Sequence, residues 1–287
     1  VTGSLAAVEA WDLPALRSAT AALGEAPVRL RAWQQRLDAV RARLDAVVDA
    51  PVAVDPAEPA AVPTPVDRLG AAGLAAGWPG GPDVLRDVDL TADRDGWLVV
   101  RGPSGAGKST LLAVLMASLR PRAGRYDLAG VPAGTLTGDD VRSAIAWLPQ
   151  EAHVFASSIR ANLALAGPRG EVGEDAMLAA LHACGLGGLV AGLPDGLDTP
   201  VGAGGTALSG GERRRLAAAR ALLADRDVVL LDEPTAHLDR PTADRLVADL
   251  RTALAGRVVV CVTHDERLAG HDDTTLTLDA RVRVAAG

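Results

Sequence analysis

The spacing of apolar residues changes along the chain, and each change predicts a different kind of structure. Within residues 30–48, Trp33, Leu37, Val40, Leu44 and Val47 recur at steps of four and three with Arg and Asp between them, which predicts an amphipathic helix. The earlier stretch 5–23 is largely apolar, but Glu9, Asp12, Pro14 and Arg17 interrupt it. It therefore falls short of the ~18 uncharged residues that a membrane-spanning helix requires. Residues 51–65 carry five prolines among Ala, Val and acids, the composition of an extended linker. A boundary is expected there, dividing the chain into a helical segment 1–50, a Pro-rich linker 51–65 and a main domain 66–287.

From Val66 onward the apolar runs are short and punctuated by Gly, Pro and Asp. Residues 69–78, 84–90 and 97–100 read as strands, and 111–119 as a helix. Beyond Asp139 the pattern is mostly helical, over 141–146, 158–165, 174–184 and 211–223. Strands return at 228–231, 258–262 and in the tail 275–284. A helical block set between early and late strands predicts an α/β core with a parallel sheet and an inserted helical subdomain.

The candidate chemistry sits where strand passes to helix. GPSGAGKST, Gly102 to Thr110, follows one apolar run and opens a helical one, the context in which a phosphate-binding loop is expected. The small residues Gly102, Ser104, Gly105, Ala106 and Gly107 let backbone N–H groups converge on phosphate oxygens at a helix N-terminus. Lys108 would reach the β- and γ-phosphates, Ser109 would place its hydroxyl on Mg²⁺, and Thr110 completes the loop. Lys108 is also the single lysine of the chain, in a composition that otherwise uses arginine.

DVVLLDE, residues 227–233, reads as a buried strand ending in two acids. Asp232 is placed to hold Mg²⁺, and Glu233 to orient or deprotonate a water. LSGGE, residues 208–212, supports two compatible readings. Ser209 and Glu212 form a capping box, and Ser209, Gly210 and Gly211 offer a second anion site at a helix start.

Charge and composition narrow the partners. A net charge of -7 argues against nucleic acid, since a phosphate backbone needs a basic face. The short cluster Arg213–Arg215 reads as a solvated helix face. Cys184 and Cys261 are far apart and lack metal-ligand spacing, as expected of buried thiols in a reducing compartment. No signal-peptide pattern is present.

In its ordered motifs the stretch from Val66 to the C-terminus resembles the ATP-binding cassettes of ABC transporters: GPSGAGKST, Gln150 after a strand, LSGGE, VVLLDE, AHLD and His264. The resemblance implies a P-loop NTPase fold, with a RecA-like core, an antiparallel β subdomain and an inserted α-helical subdomain, and it implies ATP and Mg²⁺ as ligands. It also implies a sandwich in which the LSGGE helix of one cassette closes over ATP held by another. Gln150 would then sense Mg²⁺ and water, Asp239 would lie at the cassette interface and His264 would contact the γ-phosphate. Trp78 aligns with the aromatic that stacks on adenine, where Tyr is more usual.

TPVGAGG, residues 199–205, resembles the segment through which exporter cassettes meet membrane-domain loops. The order helix, linker, cassette resembles the end of an exporter half-transporter at the cytoplasmic face of the membrane. QEAHVF, RANLALA, LSGGERRRLAAARALL and DEPTAHLD resemble the CydC subunit of the CydDC exporter of cysteine and glutathione, which supports cytochrome bd assembly. Expected partners are therefore a second cassette, CydD-like or a second copy, and the transmembrane domain of an exporter. The chain begins with Val rather than Met and the preceding membrane helices are absent, as expected of a fragment or of an alternative start. The alternatives are a soluble ABC ATPase of translation or DNA repair and a truncated, non-transporting remnant.

Overall fold

The computed structural model describes residues 59–279, apart from 95, 168–171, 203, 204, 206 and 237. The expected helix over 30–48, the stretch 5–23 and the first part of the Pro-rich segment lie outside the described residues, as does the tail beyond 279.

The order of elements is β1 (Arg68–Ala76), β2 (Leu85–Asp93), β3 (Leu98–Arg101), α1 (Lys108–Leu115), β4 (Ala123–Leu128), β5 (Val131–Pro132), α2 (Gly138–Ser143) and β6 (Ile145–Leu148). A helical block follows, with α3 (Ile159–Ala164), α4 (Glu174–Ala183), α5 (Gly187–Ala191) and α6 (Gly210–Leu223). The chain then returns to the sheet through β7 (Val228–Asp232), α7 (Arg240–Ala253), β8 (Val258–Val262) and β9 (Thr274–Thr277). Helix starts follow local side-chain chemistry. Thr137, Ser158 and Asp239 each accept a backbone N–H of the first turn of α2, α3 and α7.

Two sheets result. An antiparallel sheet runs β2-β1-β4-β5, and a parallel sheet runs β6-β7-β8-β3-β9. β8, Val258 to Val262, is buried throughout, as a central parallel strand covered on both faces must be. The period of two divides its neighbours between two cores. Val100, Leu230 and Val260 pack with α1 and the antiparallel sheet, whereas Val99, Leu231 and Cys261 pack with the helices α4, α6 and α7. With so few aromatics, these cores are built almost entirely from Leu, Val and Ala, each fully buried Leu or Val contributing about 1.5–3 kcal/mol. The single tyrosine, Tyr126, is buried and donates to the carbonyl of Leu115 at 2.8 Å, closing the C-terminal end of α1.

The pattern-based expectations differ from the fold in several places, among them the tail strand expected over 275–284, which ends at Thr277, and three others. The helix expected over 141–146 ends at Ser143, and Ile145–Leu148 is the edge strand β6, paired with β7. A four-residue apolar run reads the same in helix and strand, and the neighbour that decides it lies over 80 residues on. The strand β4 alternates weakly in hydrophobicity and is defined by pairing with β1. The third difference is the arginine cluster: Arg214 and Arg215 are 7% and 9% exposed, not solvated. Both cysteines are free and buried, as expected, and burial pushes the Cys184 thiol up to about 12.

Register explains why distant motifs meet. Val100 pairs with Val262, and Val262 with Asp232, so the ends of β3, β7 and β8 lie side by side at the carboxyl edge of the sheet. That edge is where open α/β sheets bind their ligands.

Candidate functional site

The loop between β3 and α1 turns on glycines. Gly105 and Gly107 have φ of 81° and 100°, in the left-handed region that favours glycine. A Cβ on Gly107 would lie 2.8 Å from Leu85 Cδ2 and 3.0 Å from Val84 Cγ1, which together with its φ disfavours any larger residue there. Gly107 is the N-cap of α1 and provides no side-chain cap, and the first turn contains no acid. The first N–H groups of the helix are left for an anion. Lys108 Nζ donates back to the carbonyls of Gly102 and Pro103, at 2.7 and 3.1 Å.

β7 delivers the two acids. Burial holds the Asp232 carboxyl above the usual carboxylate range and the charge of Glu233 adds to this, while Arg214, Lys108 and a hydrogen bond from the Gln150 backbone pull the other way. Glu233 leaves the strand with φ of 48°, an uncommon conformation for a residue with a Cβ. Its N–H still donates to Val262 at 2.8 Å. Glu233 and Asp232, which remains on the strand, both line the same cavity. Glu233 is 7% exposed, and its Oε2 lies 2.7 Å from His264 Nδ1 and accepts the His264 backbone N–H at 3.3 Å.

These groups line one open cavity of about 390 Å³: Ser104, Gly105, Gly107, Lys108, Ser109, Thr110, Gln150, Asp232, Glu233 and His264. Of the expected loop residues, Gly102 and Ala106 do not line it. Gly102 supplies a carbonyl to Lys108, and Ala106 is buried at 4%. Val84 is a wall residue that the sequence did not single out, since nothing in an apolar run marks the one member that faces a cavity. Trp78 is 50% exposed, so it is not a packed core residue, and it does not line this cavity. Arg122 holds its loop by donating to the carbonyls of Trp78 and Gly81.

Ser209, Gly210 and Gly211 are likewise away from the cavity, at the start of α6. There Ser209 Oγ accepts from Glu212 N–H at 3.2 Å and Glu212 Oε2 accepts from Ser209 N–H at 2.7 Å, a complete capping box. Asp239 caps α7, accepting from the N–H and hydroxyl of Thr242 at 3.1 and 2.9 Å.

The donor set suits a hard divalent cation. A hydroxyl, an amide and a carboxylate, Ser109, Gln150 and Asp232, share the cavity, and two adjacent carboxylates supply negative charge that a cation would relieve. Among the described residues no group of three or more His, Cys, Asp or Glu could hold a metal alone, so further ligands would come from substrate oxygens or water.

The family model described as "ABC transporter" matches residues 85–236. An "ATP-dependent lipid A-core flippase" of Burkholderia thailandensis is 36% identical over 208 residues, covering 72% of this chain and 34% of the relative. A "Mycobactin import ATP-binding/permease protein IrtB" of Mycolicibacterium smegmatis is 34% identical over 196 residues, covering 68% of this chain and 34% of the relative. A solved structure, of "a bacterial Atm1-family ABC exporter with ATP bound", superposes with a TM-score of 0.75 at 28% identity and covers 84% of this chain and 42% of that one. The chain thus spans about a third of the length of these two relatives. Among the described residues no helix is long and apolar enough to cross a membrane.

Proposed function

Because the chain belongs to the ABC transporter family, we propose that it binds ATP on the Gly102–Thr110 loop and hydrolyses it when paired with a second cassette, powering transport by a membrane domain. The observation that carries this reading is the shared cavity, where Lys108, Ser109, Gln150, Asp232, Glu233 and His264 face one volume.

In this reading the Lys108 ammonium exchanges the carbonyls of Gly102 and Pro103 for phosphate oxygens, joining the free N–H groups of α1. Ser109, Asp232 and Gln150 would hold Mg²⁺, which when bound offsets phosphate charge. Glu233 orients a water and accepts its proton as the water oxygen bonds to the γ-phosphorus and the bond to the β-phosphate oxygen breaks. His264, already bonded to Glu233, holds that carboxylate in place and stands beside the γ-phosphate. Ser209, Gly210 and Gly211 do not line the cavity, which supports the reading in which the lid over the nucleotide comes from the equivalent helix start of a partner cassette. Phosphate release that rises faster than linearly with chain concentration supports this. Full specific activity in a strictly monomeric preparation overturns it.

The relatives and the solved structure carry the names of a flippase, an import protein and an exporter, so similarity at this level speaks for the ATPase more than for the cargo. We favour export at the cytoplasmic face of a membrane. More narrowly, residues 150–155, 160–166, 208–223 and 232–239 support a CydC-like role in thiol export, with a CydD-like partner. Cysteine- or glutathione-stimulated ATPase activity in the assembled transporter tests that assignment, and stimulation by unrelated substrates alone removes it.

A further inference from the structure

Three consecutive arginines open α6, and each has a different destination. Arg213 stays local and donates to the carbonyl of Leu208 at 3.1 Å. Arg215 turns to the helical side, pairing with Asp249 of α7 and donating to the Cys184 carbonyl after α4, at 2.8 and 2.7 Å. Arg214 turns toward the ATP cavity. Its Nη1 donates to Pro149 at 3.0 Å, and its Nη2 reaches the Ala236 carbonyl at 3.5 Å.

Those two carbonyls matter because of their neighbours. Pro149 immediately precedes Gln150, and Ala236 closes the turn that Glu233 opens, its N–H donating to the Glu233 carbonyl at 3.0 Å. A guanidinium removed from water is costly unless paired. Here the two carbonyls and the charges of Asp232 and Glu233 provide the pairing. Arginine alone among the basic side chains has a planar fork that can reach two separated acceptors at once.

We propose that Arg214 is a positioning residue, whose fork braces the segments bearing Gln150 and Glu233 against the LSGGE helix of the same cassette. A displacement of the α6 start by a partner's nucleotide is then felt at the Gln150 and Glu233 segments of this chain's own site. This coupling rests on the reading of the cavity as an ATP site, but the brace itself does not.

The test uses the full chain with Arg214→Gln, Arg214→Lys and, as a structural control, Arg215→Gln. Hydrogen–deuterium exchange without nucleotide should be about tenfold faster in Arg214→Gln at the amides of Gln150, Glu151, Thr235 and Ala236, with β7 unchanged. In the assembled cassette pair, kcat should fall about tenfold while ATP affinity stays within about twofold. Arg214→Lys keeps the charge but loses the fork, and should regain less than half of the lost kcat. Arg215→Gln should lower Tm and leave exchange at those four amides unchanged.

Unaltered exchange in Arg214→Gln overturns the proposal. So does a loss of kcat that only tracks a fall in Tm, as in the Arg215 control. Faster exchange in a chain that neither binds nor hydrolyses ATP supports the brace and removes the proposed function.

Discussion

Two helices in this molecule begin with glycine-rich sequence, and they are prepared differently. α1 starts at Gly107 with no side-chain cap and no acid in its first turn, and the Lys108 ammonium beside it is bonded to backbone carbonyls. α6 starts at Ser209 inside a closed capping box, with Glu212 already on its positive end. The first can hold an anion unaided. The second retains the Ser209 hydroxyl proton and the N–H groups of its glycines, enough to touch a phosphate that something else has brought. In the proposed reading one chain therefore carries a cradle and a lid, and Ser209, Gly210 and Gly211 do not line the cavity of the cradle.

The largest effect should come from the chemistry inside the cradle. Glu233→Gln keeps the size and hydrogen-bonding reach of the side chain but removes the base, so turnover should fall by about 10²–10⁴ with ATP binding retained. Single-turnover hydrolysis beside a nucleotide-binding titration decides it, and undiminished hydrolysis removes the base role. Lys108→Ala should come next. It deletes the one cation of the loop, and ATP affinity should weaken by about 10–100-fold, the cost of a lost charge-assisted hydrogen bond or two. An unchanged titration would place the phosphates elsewhere.

Ser209→Ala probes the lid and separates it from the cradle. Losing the N-cap should cost about 1 kcal/mol of stability. ATP binding to the lone chain should hold, because Ser209 does not line the P-loop cavity. Hydrolysis by the paired cassettes should nevertheless fall by about tenfold, the value of one hydrogen bond to a charged group. If the lone chain also loses ATP affinity, cradle and lid are not the separate halves described above.

How much of this was legible in the sequence depends on whether a residue acts through its neighbours in the chain or across the sheet. The loop, the acids of β7 and the capping box at Ser209 are local, and the structure brings the loop and both acids to one cavity and closes the capping box. The continuous apolar runs of β3, β7 and β8 likewise matched their burial on both faces. What sequence could not give was set by remote partners. Ile145–Leu148 became a strand only because β7 lay beside it. Arg214 and Arg215 looked like solvated charge, yet their acceptors are the carbonyls of Pro149 and Ala236 and the carboxylate of Asp249, none within a helical turn. Val84 reached the cavity wall through the close passage of β2 over Gly107.

The smallest effect should be at Trp78, and it tests how far the cradle extends beyond the phosphates. Its indole is half exposed, so removing it leaves no void in a core. Trp78→Ala should therefore shift Tm little. If the ring stacks on adenine, it contributes about 0.5–1.5 kcal/mol beyond simple burial, and ATP affinity should weaken by about two- to tenfold. Inorganic triphosphate, which has no base, should bind the variant and the parent chain alike. An equal loss for both ligands would assign the effect instead to the loop that Arg122 holds through the Trp78 carbonyl, and the cradle would then end at the phosphates.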